Sequence, residues 1–236
     1  MKKINTKFIK LIKYYTLINH NLIYNNKAIN RYNVVVKKTY SKKFSDLDSL
    51  KKSLLNLKNC NLKKQAKNLV FSDGNPNSEI MIIGEGPGAN EDIEGLPFVG
   101  RAGQLLDKML SAINLDRSKI YITNVVNYRP PENRKPSEDE ISRYLPYLIK
   151  HIEIIKPRIL ILLGSTALNT ILGKEKVISK ARGIWVSKQI GEFKANIIAS
   201  FHPAYLMRQP DQKKYSWIDL KMIKKKIEDL RIKIEN

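Results

Sequence analysis

The sequence predicts an α/β protein, a three-layer α/β/α sandwich built around a central four-stranded parallel sheet. Four short runs rich in Ile, Val and Leu are each bounded by turn residues, as buried parallel strands are. These runs are Glu79–Gly84, Ile120–Val126, Ile159–Gly164 and Asn196–Ser200. Helical stretches separate them, and this alternation predicts helices on both faces of the sheet.

The predicted helices and a basic leader divide the chain. The helices are Ser45–Leu57, Ala102–Ile113, Ser137–Ile155, Ser165–Leu172 and Asp211–Ile234. The third has the clearest start, because Ser137 followed by Glu140 has the pattern of a capping box. Residues 1–45 form a basic, Asn-rich extension that is partly helical, around Phe8–Ile18, or disordered. The remaining residues, 46–236, are predicted to form the folded domain.

The charge of the chain favours an anionic partner. Its 43 Lys and Arg residues against 22 Asp and Glu give a net charge of +21. Residues 1–79 hold 17 of the basic and 4 of the acidic residues, and therefore 13 of the 21 net charges. Such an excess favours nucleic acid or an anionic membrane surface as partner. A general bias towards Lys, Asn and Ile is the alternative explanation, so charge alone does not decide.

Cysteine content and hydropathy exclude several classes of protein. Cys60 is the single cysteine, which excludes an internal disulfide and a cysteine-built zinc or iron–sulfur site. No apolar run reaches the length of about 18 residues that a membrane helix needs. The first twenty residues lack the apolar core and cleavage site of a secretory signal. We expect a soluble, cytoplasmic protein.

Because ligands bind at the carboxyl ends of parallel strands, the loops after the strands are the informative ones. The first of these loops is rich in glycine and contains GEGPGANED and then GLPFVGRAG. Its spacing matches neither the GxGxxG of dinucleotide-binding proteins nor a phosphate loop. Glycines let backbone N–H groups approach a ligand closely. The carboxylates Glu85 and Glu91 and the aromatic Phe98 accompany them, which favours a binding loop over a structural turn.

Two further polar side chains follow predicted strands. Asn124 lies at the end of the second strand, and its amide can donate and accept hydrogen bonds together. His202 lies just beyond the fourth strand, ahead of Pro203. Taken singly, such an Asn is more often a turn former and such a His more often structural. Their common position at the ligand-binding edge favours a shared site.

Four segments together carry a family resemblance. They are GEGPGANEDIEGLPFVGRAGQLLDKML, ITNVVNYRPPENRKPSEDEI, LILLG and SFHPAYLMRQP. In order and spacing they resemble the motifs of family 4 uracil-DNA glycosylases, over about residues 54–220. The resemblance implies a monomeric DNA repair enzyme that flips deoxyuridine out of single- or double-stranded DNA and hydrolyses the N-glycosidic bond. Uracil is released and an abasic site is left.

The resemblance also implies roles for individual residues. The backbone of Gly84, Glu85 and Gly86 would line the uracil pocket, and Phe98 would stack on the base. Asn124 would bind the Watson–Crick edge of uracil and reject cytosine. His202 would hydrogen-bond uracil O2 and stabilise the negative charge of the leaving base.

Water activation and DNA binding are assigned in the same way. Glu85, Glu91 and Asn133 are candidates to position or activate water. The aspartate that other uracil glycosylases use in this motif is replaced here by Gly86. The residues predicted to bind DNA are Arg101, Arg134, Leu206, Met207 and Arg208, with Leu206 or Met207 as a wedge that fills the vacated space.

The sequence departs from the family at the positions of a 4Fe–4S cluster. Most members hold the cluster with four cysteines, and the matching positions here are Leu57, Cys60, Tyr128 and Tyr144. One thiolate cannot hold such a cluster, so no cofactor and no metal are predicted. The alternatives are a catalytically inactive DNA-binding protein and a protein that cross-links covalently to uracil-containing DNA. The cross-linking branch has an extra basic loop with a histidine, which RPPENRKP lacks.

Overall fold

The fold is taken from a computed structural model, which describes the backbone of residues 35–234 and the side chains of residues 42–234. The predicted helix Phe8–Ile18 lies outside the described residues. The chain divides into two compact units, Met1–Tyr40 and Ser41–Asn236, and the sheet lies in the second. The predicted division after residue 45 stays a prediction.

The sheet has four parallel strands at its centre, as the sequence predicts. The strands are β1 (Asp73–Gly74), β2 (Ile80–Gly84), β3 (Tyr121–Asn124), β4 (Ile159–Leu163), β5 (Val186–Ile190) and β6 (Phe193–Ser200). Within residues 35–234 they form one six-stranded sheet in the order β1-β3-β2-β4-β6-β5. The neighbours among β3, β2, β4 and β6 are parallel. The α/β sandwich is therefore confirmed, with a mixed rather than wholly parallel sheet.

Two antiparallel edge strands complete the sheet and were not predicted. β1 contains only two residues and pairs with β3. β5 pairs with β6, and three of its five residues, Ser187, Lys188 and Gln189, are exposed. Short edges and exposed charged side chains protect a sheet from pairing with other chains. These features explain why neither strand has the apolar pattern of the central four.

Residues 35–234 contain nine helices, of which five lie between strands along the chain, two precede β1 and two follow β6. They are α1 (Val35–Leu55), α2 (Asn61–Gln65), α3 (Ala89–Glu94), α4 (Arg101–Ser111), α5 (Glu138–Ile155), α6 (Gly164–Leu172), α7 (Ile178–Ala181), α8 (Pro203–Arg208) and α9 (Lys213–Asp229). Short 3-10 turns occur at Arg117–Lys119, Pro131–Asn133 and Pro210–Gln212. The predicted capping box is confirmed, because Ser137 accepts from the backbone N–H of Glu140 and Glu140 accepts from that of Ser137.

Side chains of the central strands alternate between two hydrophobic cores, one on each face of the sheet. Along β2, Met81 and Ile83 enter the core shared with α5 and α6. Ile80 and Ile82 enter the core shared with α4 and α9. This arrangement gives the three layers. Among the described residues, no helix has the length and apolar character required to span a bilayer.

Candidate active site

A cavity of about 170 Å³ lies at the carboxyl ends of the parallel strands. Its position follows from the strand register, because Gly84 at the end of β2 pairs with Asn124 at the end of β3. In the other half of the same sheet, Leu163 of β4 pairs with Ser200 of β6, two residues before His202. Residues predicted for the site that line the cavity are Glu85, Gly86, Glu91, Phe98, Asn124, Asn133, Arg134 and His202.

Gly84 packs directly against two side chains that line the cavity, those of Phe98 and Asn124. A Cβ atom at this position would lie 2.6 Å from Phe98 Cζ and would overlap the amide oxygen of Asn124. Contacts this short do not occur in proteins, so a larger residue would displace both side chains. The glycine is therefore required here because of close approach, not because of its backbone conformation.

Asn124 lines the cavity and carries a buried amide donor without a partner. The residue is only 2% exposed, and among the described residues no acceptor lies within hydrogen-bonding distance of its Nδ2. Leaving a buried donor unpaired costs about 1–3 kcal/mol, so such groups in folded proteins call for an explanation. A ligand acceptor that enters the cavity would supply the missing partner.

His202 is held in one orientation and one protonation state. It is the N-cap of α8, and its Nδ1 accepts from the backbone N–H of Ala204 at 3.2 Å. In the neutral ring the proton therefore resides on Nε2. Burial, and then the positive charge of Arg208, lower the pKa of His202 to about 4, although Glu91 acts in the opposite direction. At pH 7 this imidazole is a neutral hydrogen-bond donor.

Phe98 packs against His202. The two rings are stacked, with centroids 5.5 Å apart and planes inclined by 29°. The backbone of Phe98 has a φ of 56°, in the left-handed region that non-glycine residues seldom adopt. The aromatic wall of the cavity is thus built on an unusual backbone conformation.

The three residues predicted to act on water have different surroundings. Both carboxylate oxygens of Glu91 accept backbone N–H groups, from Gly88 at 3.1 Å and from Gly100 at 2.8 Å. Glu91 therefore joins the two ends of the glycine-rich loop. Glu85 accepts a hydrogen bond from the hydroxyl of Thr166. The amide oxygen of Asn133 accepts from Arg129 Nε at 2.8 Å.

The residues predicted to bind DNA are distributed around the cavity. Arg134 lines it and is paired with both oxygens of Glu140, at 2.8 and 2.7 Å. Arg101 and Arg208 are exposed and Met207 is half-buried. Leu206 is only 1% exposed, so the prediction that it wedges into DNA is corrected: its side chain already packs inside the protein.

Gly164 and Thr166 contact predicted site residues and were not themselves predicted. Gly164 follows β4 with a φ of +89°, and a Cβ atom there would lie 3.1 Å from the Cβ of His202. Thr166, two residues further along, holds Glu85. LILLG marks the end of this strand, but nothing in the sequence indicated that the first turn of α6 contacts His202 and Glu85.

The positions of the family's cluster ligands form a packed part of the hydrophobic core. Cys60 Sγ and Tyr144 Oη share a hydrogen bond of 3.1 Å, and both residues are buried. Tyr128 Oη donates to the carbonyl of Leu54 at 3.5 Å, and Leu57 packs against the same core. One thiol, two phenols and an aliphatic side chain do not fit a four-thiolate cluster. No group of three or more metal-ligating side chains occurs among the described residues either.

Comparison with known proteins identifies the family. Residues 71–230 match the model of the uracil DNA glycosylase superfamily. The type-4 uracil-DNA glycosylase of Saccharolobus solfataricus is 39% identical over 196 residues, which are 81% of this chain and 91% of that protein. That of Sulfurisphaera tokodaii is 40% identical over 186 residues, 75% of this chain and 83% of its own. That of Thermotoga maritima is 42% identical over 150 residues, 63% of this chain and 77% of its own. The chain therefore belongs to the uracil-DNA glycosylase superfamily, within which it is similar to the type-4 enzymes.

Proposed function

We propose that this protein is a DNA repair glycosylase that flips deoxyuridine out of DNA and hydrolyses its N-glycosidic bond, releasing uracil and leaving an abasic site. The observation that carries the proposal is the unpaired Nδ2 of Asn124, buried in a cavity that also contains Phe98 and His202. A planar base can stack on Phe98, and acceptors at its edge can pair with the donors of Asn124 and His202.

Asn124 selects the base. Its Nδ2 donates to uracil O4, and its amide oxygen accepts from uracil N3–H. Cytosine presents an amino group where uracil presents O4, so two donors would face one another. A mismatched base therefore loses more than the energy of one hydrogen bond. The Asn124 donor would stay unpaired inside the buried cavity, which adds the cost of its desolvation.

His202 stabilises the leaving group. Uracil departs as an anion, and a donor directed at the atom where charge develops contributes about 2–4 kcal/mol to catalysis. The neutral Nε2–H of His202 is such a donor, and no proton transfer is needed beforehand. A carboxylate near the sugar stabilises its developing positive charge, and Glu85 has this role. Glu85 and Asn133 remain the candidates that position water, whereas Glu91 supports the loop.

DNA binding offsets the cost of extruding the base, which is a few kcal/mol. The net charge of +21 attracts the phosphate backbone and makes the affinity fall steeply with salt. Arg101, Arg134 and Arg208 bind phosphates around the cavity. Met207 is the residue that enters the vacated space, and both single- and double-stranded DNA are substrates.

We also infer that the enzyme works without a 4Fe–4S cluster. The support is chemical: three of the four ligand positions carry Leu57, Tyr128 and Tyr144, none of which supplies a thiolate. The two tyrosines and Cys60 fill this part of the core and hydrogen-bond there. Protein purified anaerobically should lack absorbance near 400 nm and contain no stoichiometric iron. A brown, iron-containing protein would contradict the inference.

The central test is strand breakage at uracil. Purified protein is incubated with a uracil-containing oligonucleotide and then treated with alkali, which cleaves abasic sites. Cleavage at the uracil position should vanish in His202→Ala and weaken in Asn124→Ala. Asn196→Ala is a matched control, because this strand asparagine bonds the backbone carbonyl of Arg158 at the other end of the sheet. Its activity should equal that of the wild type.

The same assay separates the alternatives. An inactive DNA-binding protein would retain the oligonucleotide and leave it intact after alkali. A cross-linking protein would form an adduct that survives denaturation. Either result in the wild-type protein would overturn the proposed function.

A further inference from the structure

We propose that Arg117 is a positioning residue that holds Phe98 in the conformation needed to bind the flipped base. The proposal rests on the proposed function, because it assigns Arg117 a role in uracil excision. Arg117 does not line the cavity, and it acts through the backbone of Pro97 and Phe98.

The backbone of Phe98 needs outside support. Its φ of 56° lies in the left-handed region, which costs a residue with a Cβ atom about 1 kcal/mol or more. Its carbonyl oxygen lies against Gly103, where any Cβ atom would overlap it. The required glycine at 103 makes room for this conformation but does not hold it in place.

Arg117 keeps this conformation in place through hydrogen bonds to two backbone carbonyls. One guanidinium nitrogen donates to the carbonyl of Pro97 at 3.0 Å, and the other donates to the carbonyl of Phe98. Two carboxylates fix the guanidinium from outside, Asp73 at 2.6 Å and Asp107 at 2.9 Å. The planar guanidinium fork therefore grips two successive carbonyls, and its charge is balanced by two anions.

These two hydrogen bonds determine where the aromatic ring of Phe98 lies. Phe98 packs over Gly84 and stacks on His202, and Arg117 bonds the carbonyls of both peptide units that flank the Phe98 Cα. If these peptide units rotated towards an ordinary conformation, the ring would leave the cavity wall. Lysine cannot replace Arg117, because a single ammonium group cannot bond both carbonyls and both carboxylates in a fixed plane.

A purely structural role for Arg117 is the competing explanation, since the residue also connects β1 and α4 through Asp73 and Asp107. A double-mutant cycle with Phe98 distinguishes the two. If Arg117 acts through Phe98, its replacement matters only while Phe98 is present. If it merely stabilises the fold, its effect on kcat/KM is the same in either background.

The experiment measures kcat/KM for a uracil-containing single-stranded oligonucleotide, together with the melting temperature. The variants are Arg117→Lys, Phe98→Leu and the double variant, assayed below the lowest melting temperature. Arg117→Lys should lower kcat/KM about tenfold in the wild-type background and less than about twofold in the Phe98→Leu background. Equal losses in both backgrounds, or no loss in either, would overturn the proposal.

Two controls keep the result interpretable. Arg158→Lys is the matched control, because Arg158 also bridges a carboxylate, Glu79 at 2.9 Å, and a carbonyl, that of Leu230, but away from the cavity. Its kcat/KM should equal that of the wild type. Asp107→Asn weakens the anchoring of Arg117 and keeps the arginine, so it should give the same background dependence with a smaller loss even if Arg117→Lys does not fold. A wild-type protein that releases no uracil would refute the proposed function itself, which separates that failure from a failure of this inference.

Discussion

The imidazole of His202 and the ring of Phe98 form a stack whose centroids are 5.5 Å apart. This contact fixes one face of the imidazole, while the N–H of Ala204 fixes its Nδ1. Together they leave Nε2 as the only ring nitrogen free to meet a ligand. The proposed catalytic donor is thus already oriented in the absence of DNA, and such preorganisation is what makes a donor effective in stabilising a leaving anion.

The pH dependence of activity should reflect the low pKa of His202. Because that pKa is about 4, the ring stays neutral throughout the range in which an ordinary histidine titrates. A profile of kcat/KM should show no change due to His202 between pH 5.5 and 8. The prediction would be contradicted if kcat/KM of the wild type fell in acid with a midpoint near pH 6.5 and this fall were absent from the profile of His202→Asn.

Gly84→Ala should strongly reduce uracil excision at a modest cost in stability. The added methyl group would lie 2.6 Å from Phe98 Cζ and displace Asn124, so two groups that are proposed to bind the base move together. We expect kcat/KM to fall at least about a hundredfold and the free energy of unfolding to fall by about 1–3 kcal/mol. Urea denaturation and oligonucleotide cleavage measure the two quantities.

Gly95→Ala provides the comparison. This glycine has a φ of +73°, and a Cβ atom there would meet nothing closer than 3.8 Å. The Gly95→Ala variant should lose stability through backbone strain and keep its activity. Activity that falls equally in both variants would mean that stability, and not the cavity, accounts for the loss.

The fold should lose stability in mild acid because of His151. This buried histidine lies 2.7 Å from the hydroxyl of Tyr121 and stacks on Phe71, and burial lowers its pKa to about 3. Above pH 6.5 it is neutral in both folded and unfolded chains. As the pH falls from 6.5 towards 3, only the unfolded chain takes up the proton, so the free energy of unfolding falls by about 1 kcal/mol per pH unit.

Urea denaturation of His151→Gln at pH 7, 6, 5 and 4 measures this contribution. The variant is less stable at pH 7, because the hydrogen bond to Tyr121 and the stacking on Phe71 are weakened. Its loss of stability with falling pH should nevertheless be shallower than that of the wild type. Parallel curves for the two proteins would show that His151 does not carry the acid sensitivity.

The buried ion pair behind the His202 loop should be important for stability. Asp219 is fully buried, accepts from Arg182 Nε at 2.9 Å and accepts from the hydroxyl of Ser200 at 2.7 Å. Asp219→Ala leaves the Arg182 charge without its partner, and we expect the free energy of unfolding to fall by about 3–5 kcal/mol. The exposed pair of Lys174 and Glu138, 2.7 Å apart, is the control. Lys174→Ala should leave the denaturation midpoint unchanged.

Sequence patterns predicted the part of the fold in which local composition and tertiary environment agree. The central strands are apolar because both of their faces are buried, so their composition alone identifies them. β5 is polar and becomes a strand because β6 offers it a pairing edge. No local signal reports such a partner, and the two-residue β1 is too short to have a pattern at all.

The candidate site was predictable to the extent that its residues follow strands. Asn124 is the last residue of β3 and His202 lies two residues beyond β6, where the topology alone places ligand-binding groups. Thr166 and Arg117 contact Glu85 and Phe98, which are distant from them in sequence. The burial of Leu206 likewise depends on the packing of α8 against α4. These relationships appear only once the layers are assembled.

The strand register has a consequence for how the enzyme loses function. Gly84 and Asn124 are opposite one another because β2 and β3 are aligned, and the loop that carries His202 begins where β6 runs beside β4. The residues that line the cleft are therefore brought together only when these strands are paired. Catalysis should consequently serve as a reporter of the assembled sheet, disappearing at the same urea concentration as the circular dichroism of the β-structure and not before it.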